Sequence, residues 1–494
     1  MALNDTKSLF SNYLHLITGN ALGSNVVNFV SLFLIVRILS PAGYGSYVLF
    51  VSVASIIAIV TTWTSASIVR FGREEFIAEG SVRKTFWANY GILLPAFAVC
   101  FLLVFIFRTR LSDYIGISQS TYFLIFAHIL LSNLALNISI AFQAMGKMKH
   151  FSYLPLASSG SFLVAIAIIY FMSVSVPVEL AVGLLVFGLL LVSVIGFCLL
   201  WKDITPICVS RDWIKKCLSY SWPVFFGGTS GVMVQYIDQI VIRMFMALSF
   251  VGVYNVAYQL QGCLITLPML SMSLMFPLMT SLVVTKEGNK LGQYIKVYAP
   301  QIAFFWALAT SIFLVFAPEI VLLFGVDYIA ASVPLRLLLF GMAFRIFAII
   351  ESPLIASYGL IKQAVVVNVG IALINLGLDF LLIPRMGISG AAVASVGAFI
   401  FGTLGYSFIL IKWQGINDYR NYPWLFPAIL AFVGSVFIDN WVARILLLAV
   451  VVAISFLVAK RSAVFNTESL AILDSIDMPS SVRRTVKQVY SILV

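Results

Sequence analysis

The sequence is short of charge. Only 10% of its 494 residues are Asp, Glu, Lys or Arg, where a water-soluble chain carries roughly a quarter. Its three histidines, His15, His128 and His150, stand apart, so no imidazole cluster for metal binding or acid–base chemistry is expected. The five cysteines, Cys100, Cys198, Cys208, Cys217 and Cys263, form no CxxC pair and read as free thiols, with no disulfide framework or zinc site. No phosphate loop or nucleotide-binding signature is found. The first apolar segment, starting near Gly19, lacks a strongly basic leader and is followed at once by more of the same, so no cleavable signal peptide is expected.

What fills the chain instead is apolar sequence: 62% of residues are hydrophobic and the mean hydropathy is +1.06. The apolar runs are about 18 to 30 residues long, and one such run is enough to cross a bilayer. A β-barrel would show short alternating segments. The chain therefore reads as an all-α polytopic membrane protein with about fourteen transmembrane helices. The expected spans are 19–38, 47–69, 86–107, 119–141, 151–172, 177–198, 220–246, 252–284, 298–324, 332–357, 362–382, 387–411, 423–438 and 441–459. Asp439-Asn440 leaves almost no loop between the last two. Pro268 and Pro277 would kink or break the long eighth span.

The net charge of +11 is explained by where the basic residues lie. With the N-terminus inside, the inner segments and tail hold 22 of the 30 Lys and Arg. Arg70, Arg73, Arg83, Lys84, Lys147, Lys149, Lys202, Arg211, Lys215, Lys216, Lys286, Lys290 and Lys296 are among them. The outer side and its flanks hold Arg37, Arg108, Arg110, Arg336, Arg385 and Arg444, and Arg243 and Arg345 fall within spans. This bias places both termini in the cytoplasm. It gives a nucleic-acid partner no support. The outer loops are short, the longest lying around Thr109–Ser118, so there is no room for a folded catalytic domain and an enzyme is not expected. In the tail 462–494, Val482, Val486 and Val489 share a helical face opposite basic residues. That segment suits either a helix on the anionic inner leaflet or a solubilising tail.

Two local patterns recur. Arg37 precedes G45-S-Y47 as Arg243 precedes G252-V-Y254, and G146-K-M-K149 is matched by G359-L-I-K362. The offsets suit two units of six spans each. An even number keeps both units in one orientation, related by an axis along the membrane normal. The expected organisation is a six-helix lobe at 1–205, a second at 206–415, two additional spans at 416–460 and a cytoplasmic tail at 461–494.

A charge at mid-bilayer costs roughly 2.5–3.5 kcal/mol even on lenient insertion scales, so the polar residues inside spans stand out. In the seventh span Gln235, Asp238, Gln239 and Arg243 make one polar stripe, while Asp238 and Arg243, about 140° apart around the helix, are poorly placed to pair. The first span carries Asn20, Ser24, Asn28 and Ser31; the second Thr61, Thr62, Thr64 and Ser65; the eighth Tyr254, Tyr258 and Gln261. The tenth has Arg345 and Glu351, and the eleventh has Asn368, Asn375 and Asp379. Such stripes imply a hydrated cavity. They also suit interhelical hydrogen-bond glue. Arg37 also suits a snorkelling boundary position, Asp379 an interfacial cap, and the Arg345 and Glu351 pair structural charge balance.

Four stretches carry a resemblance: I38-L-S-P-A-G-Y-G-S-Y47; D238-Q-I-V-I-R243 through V251-G-V-Y-N-V-A-Y258; F324-G-V-D-Y-I-A-A-S-V-P-L-R-L337; and N375-L-G-L-D-F-L-L-I-P-R-M-G-I-S-G-A-A-V-A-S395. In their order and spacing, over roughly residues 10–460, the chain resembles the Wzx-type bacterial polysaccharide (O-antigen) flippases. These belong to the multidrug/oligosaccharidyl-lipid/polysaccharide exporter superfamily. It departs from a common form of that family at Asp379, where a small hydrophobe or Asn is usual.

The resemblance implies a flippase of the bacterial inner membrane. Such a protein moves an undecaprenyl-pyrophosphate-linked oligosaccharide unit between leaflets by alternating access, in lipopolysaccharide or related polysaccharide biosynthesis. The spans matching one, two, seven and eight would line its cavity. It also implies a polysaccharide polymerase and a chain-length regulator as partners, no cofactor beyond a coupling Na+ or H+, and function as a single chain. Arginine suits a pyrophosphate or acidic sugar, and amides and phenols suit sugar hydroxyls. The expected substrate-binding residues are thus Arg243, Arg37, Arg345, Gln239, Gln235, Asn28 and Tyr258. Asp238, Asp379 and Glu351 are candidates for ion coupling or for balancing the arginines. The other reading is an ion-coupled drug or metabolite exporter of the same broad fold.

Overall fold

The computed structural model describes residues 23–174, 176–284, 299–416, 425–438 and 440–461, with His15, Thr18 and Gly19 ahead of them. Asn20 of the first-span stripe, Lys286, Lys290 and Lys296, and the tail pattern around Val482 lie outside the described residues. The described chain is helical and, among these residues, holds no strand. In order the helices are α1 Ser24–Ile38, α2 Pro41–Thr62, α3 Ser65–Glu79, α4 Arg83–Ile106, α5 Arg108–Ile115, α6 Tyr122–Ala144, α7 Met148–Phe171, α8 Val178–Ile204 and α9 Arg211–Phe245. They continue with α10 Leu248–Val284, α11 Ala299–Val315, α12 Ala317–Leu322, α13 Ser332–Ser357, α14 Ile361–Met386, α15 Ile388–Gln414, α16 Leu425–Phe437 and α17 Trp441–Arg461.

Each expected apolar run holds helix, and the chain is a multi-pass membrane protein. Among the described residues nine helices are long and apolar enough to cross a bilayer, and α1, α11 and α16 are shorter apolar ones. The α10 helix runs unbroken through Pro268 and Pro277, since a proline inside a membrane helix can be tolerated when its neighbours satisfy the freed carbonyl.

Two expected spans are instead divided. The ninth parts into α11 and α12. The second parts into α2 and α3 at Trp63-Thr64, with no proline or glycine to mark the break. Side chains of α4 and α6 meet the backbone groups freed there. Asn133 Nδ2 donates to the Thr61 carbonyl at 2.6 Å, and Asn89 Nδ2 to the Thr64 carbonyl at 3.0 Å. Thr64 Oγ1 donates to Asn89 Oδ1 at 2.9 Å, and Ser65 Oγ to Asn137 Oδ1 at 2.7 Å. Asn137 Nδ2 then reaches Asn133 Oδ1 at 2.9 Å. Thr61, Thr64, Ser65, Asn89, Asn133 and Asn137 are all buried. The polar run of the second span, read from sequence as cavity lining, is here a dry network that heals a helix break. Backbone groups in lipid must be satisfied from within the protein.

Packing divides the chain into two compact units. The first comprises residues 1–256, 324–328 and 379–388; the second comprises 257–323, 329–378 and 389–494. This partition follows packing and is a different division from the two six-span lobes expected from the sequence.

In the first unit Ile68, Phe86, Ile138, Phe142, Leu154, Val192 and Leu200 form an apolar core. Polar ties brace one end of it. The buried Glu75 carboxylate accepts from the backbone N–H groups of Lys84 at 2.8 Å and Thr85 at 2.9 Å, at the free N-terminus of α4. Lys147 pairs with Asp203 at 2.7 Å. The start of α2 is set by Ser40, whose hydroxyl accepts from Gly43 N–H, and by Pro41 in the first turn. There α2 and α10 meet almost backbone to backbone. A Cβ on Gly45 would fall 2.0 Å from the Leu248 carbonyl oxygen, and one on Gly252 would fall 2.3 Å from that of Pro41. These are the two glycines singled out by the recurring pattern. Tyr44, beside Gly45, donates to Asn255 Oδ1 at 2.8 Å.

The second unit has its core on α10, α11, α13 and α15, with Phe304, Trp306, Met342, Ile346, Ile350 and Tyr406 in one cluster. The expected last pair of spans is anchored here. Arg444 at the start of α17 pairs with Glu319 of α12 and donates Nε to the Ile438 carbonyl at 2.9 Å.

Candidate functional site

In the first unit the seventh-span residues part company. Arg243 Nε donates to the Tyr114 carbonyl at 2.8 Å and Nη1 reaches the Met246 carbonyl at 3.4 Å. Tyr114, on the short α5, also donates its hydroxyl to the Ile240 carbonyl. Burial pushes that phenol up to about 12, against an opposing pull from the Arg243 charge, so it remains a proton donor across the physiological range. The Arg243 guanidinium and Tyr114 thus clamp α5 onto the C-terminal end of α9, where a cation also meets the helix dipole favourably.

Asp238 faces elsewhere. Its Oδ2 accepts from the Tyr254 hydroxyl, and Asp379 of α14 lies against it within hydrogen-bonding reach. Asp238 is 1% exposed, Asp379 and Tyr254 0%. Among the described residues, neither Asp379 oxygen receives a hydrogen bond. Two carboxyls in contact, away from water, cannot both carry charge at tolerable cost; a proton or a cation must sit with them. Gln239, one residue on, is buried, and among the described residues its Oε1 has no hydrogen-bond partner. Gln235 is exposed and donates to Tyr236 Oη at 3.2 Å. Asn28 is exposed on α1. Arg37, at the C-terminal end of α1, lies over the Phe33 ring at 4.3 Å.

The second unit holds the other candidates. Arg345 of α13 lies over the Phe399 ring of α15 at 4.8 Å, with the phenols of Tyr258 and Tyr406 as its electrostatic neighbours. It forms no ion pair with a described carboxylate. Tyr406 stands within electrostatic reach of both Arg345 and Glu351 and donates to Asn368 Oδ1 at 3.2 Å. Glu351 accepts from the Ser407 hydroxyl at 2.8 Å. Asn375 is buried, and among the described residues neither of its amide atoms is hydrogen-bonded.

The structure therefore brings together Asp238 with Asp379, and Arg345 with Tyr258 near Glu351. It leaves Arg37, Asn28 and Gln235 exposed and gives Arg243 backbone partners. Sequence reasoning missed Phe399, Tyr406 and Ser407. The spacing of Thr403, Tyr406 and Ser407, which puts polar groups on one face of the twelfth span, was the available signal.

A sequence family described as "Polysaccharide biosynthesis protein" matches residues 9–283. The uncharacterized membrane protein MJ1068 of Methanocaldococcus jannaschii is 23% identical over 340 residues, and the match spans 65% of each chain. Among solved structures, the lipid II flippase MurJ in an inward closed conformation is similar at a TM-score of 0.65. It is 14% identical, and the alignment covers 89% of this chain and 96% of that one. An inward-facing MATE-family multidrug resistance transporter of the MOP superfamily is similar at a TM-score of 0.65 and 16% identity, over 81% of this chain and 97% of that one. At these identities the likeness is one of fold: that of MOP-superfamily transporters.

Proposed function

Because this chain belongs to the polysaccharide biosynthesis protein family, we propose that it is a flippase. In this reading it carries an undecaprenyl-pyrophosphate-linked oligosaccharide from the cytoplasmic to the periplasmic leaflet of a bacterial inner membrane, with both termini cytoplasmic. No bond is made or broken, so no nucleophile is required. Flipping needs a polar path for the glycan and an energy source. The observation that carries the second requirement is the contact of Asp238 with Asp379 beneath Tyr254. A proton or a sodium ion loaded between these carboxyls offsets one of their two charges, and its release leaves two like charges in a buried site. That differential cost is the coupling an ion gradient can use. Glu351 sits by Ser407 and Tyr406 in the other unit and serves in this account to balance Arg345. Arg243 and Arg37 remain cation candidates for the pyrophosphate.

Deleting the gene and analysing the lipid-linked intermediates tests the reading. Complete oligosaccharide units accumulating on the cytoplasmic leaflet support it, and normal delivery to the periplasm contradicts it. The equal similarity to a multidrug transporter fold keeps a second reading in play, an ion-coupled exporter. Whole-cell efflux of small cations that disappears on deletion would favour it.

A further inference from the structure

We infer that one face of α9 near its start, made by Arg211, Lys215, Leu218 and Trp222, binds an anionic phospholipid of the adjoining leaflet. The headgroup phosphate meets the two cations, and an acyl chain lies along Leu218 and Trp222. Such a site is independent of what the protein carries.

The spacing sets the face. Steps of four, three and four residues keep these side chains within about 60° of one another around the helix, and all of them are exposed. The other side of the same turns is the packed one. Cys217 is buried in a small core with Phe71 and Ala88, and Trp213, Ile214 and Tyr220 pack against it. Trp222 is held edge-on to Trp63 at 6.4 Å and is still 58% exposed.

Depth puts the face at the edge of the membrane. A Cβ on Gly91 of α4 would fall 3.1 Å from Ile214 Cδ1 and 3.7 Å from Val209 Cγ1. Gly91 lies about 12 Å along α4 from Arg83, and α4 is long and apolar enough to cross a bilayer. The first turns of α9 therefore run beside a spanning helix. From Lys215 to Trp222 is about 10 Å along the axis. Cations first, then an aliphatic residue and an indole, follow the fall in polarity from phosphate to acyl chain.

Other cations at this end of the first unit are engaged within the protein. Lys216 pairs with Glu74, Lys147 with Asp203, and Arg83 and Lys84 with Glu79. Arg73 donates to the Ala144 carbonyl at 3.3 Å. Among the described residues Arg211 and Lys215 pair with no carboxylate, and the neighbouring Asp212 forms no ion pair with either. Like charges one turn apart on a helix repel. A phosphate shared between them relieves that repulsion, and cations beside an anionic bilayer gain affinity for it.

The test uses the purified full-length protein in phosphatidylcholine vesicles into which lipids with brominated chains are titrated. Bromine quenches a tryptophan it touches, and Trp222 is the reporter. Brominated phosphatidylglycerol should quench at a mole fraction roughly tenfold below that needed of brominated phosphatidylcholine. The preference should vanish in Trp222→Phe and in the double variant Arg211→Gln, Lys215→Gln. Arg211→Lys should keep it. The double variant Lys149→Gln, Lys202→Gln removes the same charge from exposed positions at the start of α7 and the end of α8 and should leave it unchanged. Unlabelled phosphatidylglycerol should relieve the quenching more effectively than geranyl pyrophosphate does.

Equal quenching by the two brominated lipids overturns the proposal, as does a preference that survives in Trp222→Phe, since another tryptophan then reports it. Equal losses in the two double variants also overturn it, because the attraction is then diffuse charge and not this face. Stronger relief by geranyl pyrophosphate than by phosphatidylglycerol does so too, because the anion met by Arg211 and Lys215 is then that of a polyprenyl carrier.

Discussion

The two units arrange their intramembrane polar groups differently. In the first, the Asn, Thr and Ser side chains of α2, α3, α4 and α6 bond to one another and to broken-helix carbonyls. Arg243 is likewise bonded to backbone carbonyls, while among the described residues Gln239 Oε1 and both Asp379 oxygens receive no hydrogen bond. In the second, Arg345 stacks on the Phe399 ring, and among the described residues Asn375 is buried without hydrogen bonds. Polar groups in a membrane protein thus carry different information according to whether they are satisfied. A closed network braces, while an open valence inside a unit leaves a group able to take a ligand.

Substitutions can break or sharpen this contrast. The largest effect is expected at the α2–α10 crossing. Gly252→Ala places a methyl 2.3 Å from the Pro41 carbonyl oxygen, a backbone atom that cannot swing away, and should cost about 3 kcal/mol or more. Gly377→Ala, where nothing lies within 4 Å, should be harmless. Monodispersity and melting temperature in detergent measure both.

Next is Arg243→Ala. It frees the carbonyls of Tyr114 and Met246 and should destabilise by about 2 kcal/mol, with Arg243→Lys recovering part. A transport loss larger than this instability explains would return Arg243 to the cargo. Asn137→Leu opens the network at the helix break and should cost about 1–2 kcal/mol, with transport per folded molecule unchanged. Lys216→Ala removes a pair with Glu74 whose side chains are 43% and 52% exposed, so it should shift stability by about 0.5 kcal/mol or less.

Much of the fold was legible because lipid imposes length and hydrophobicity on every span. The positions of α4, α6, α7, α8, α14 and α15 follow from apolar runs alone. The break between α2 and α3 was not legible. Its causes, Asn89 and Asn133, belong to other helices, and no proline or glycine marks the place. The paired glycines were visible as a recurring pattern, but their contact was not, since close approach is a property of two distant segments. In the site, the spacing of Asp238 and Arg243 already argued against a pair, and the structure gives them separate partners. Phe399 and Tyr406 were hidden because an aromatic residue in a membrane helix looks the same in sequence whether it faces lipid, a neighbouring helix or a guanidinium.

The coupling proposed above has an ion held by Asp238 and Asp379 drive the movement of a lipid-linked oligosaccharide. The most direct measurement reconstitutes the protein in vesicles with a fluorescent polyprenyl-pyrophosphate-linked oligosaccharide and imposes proton and sodium gradients separately. Flipping should accelerate with one gradient in the wild type and become indifferent to both in Asp379→Asn, with the protein still folded. Equal gradient-driven flipping in wild type and Asp379→Asn would contradict it.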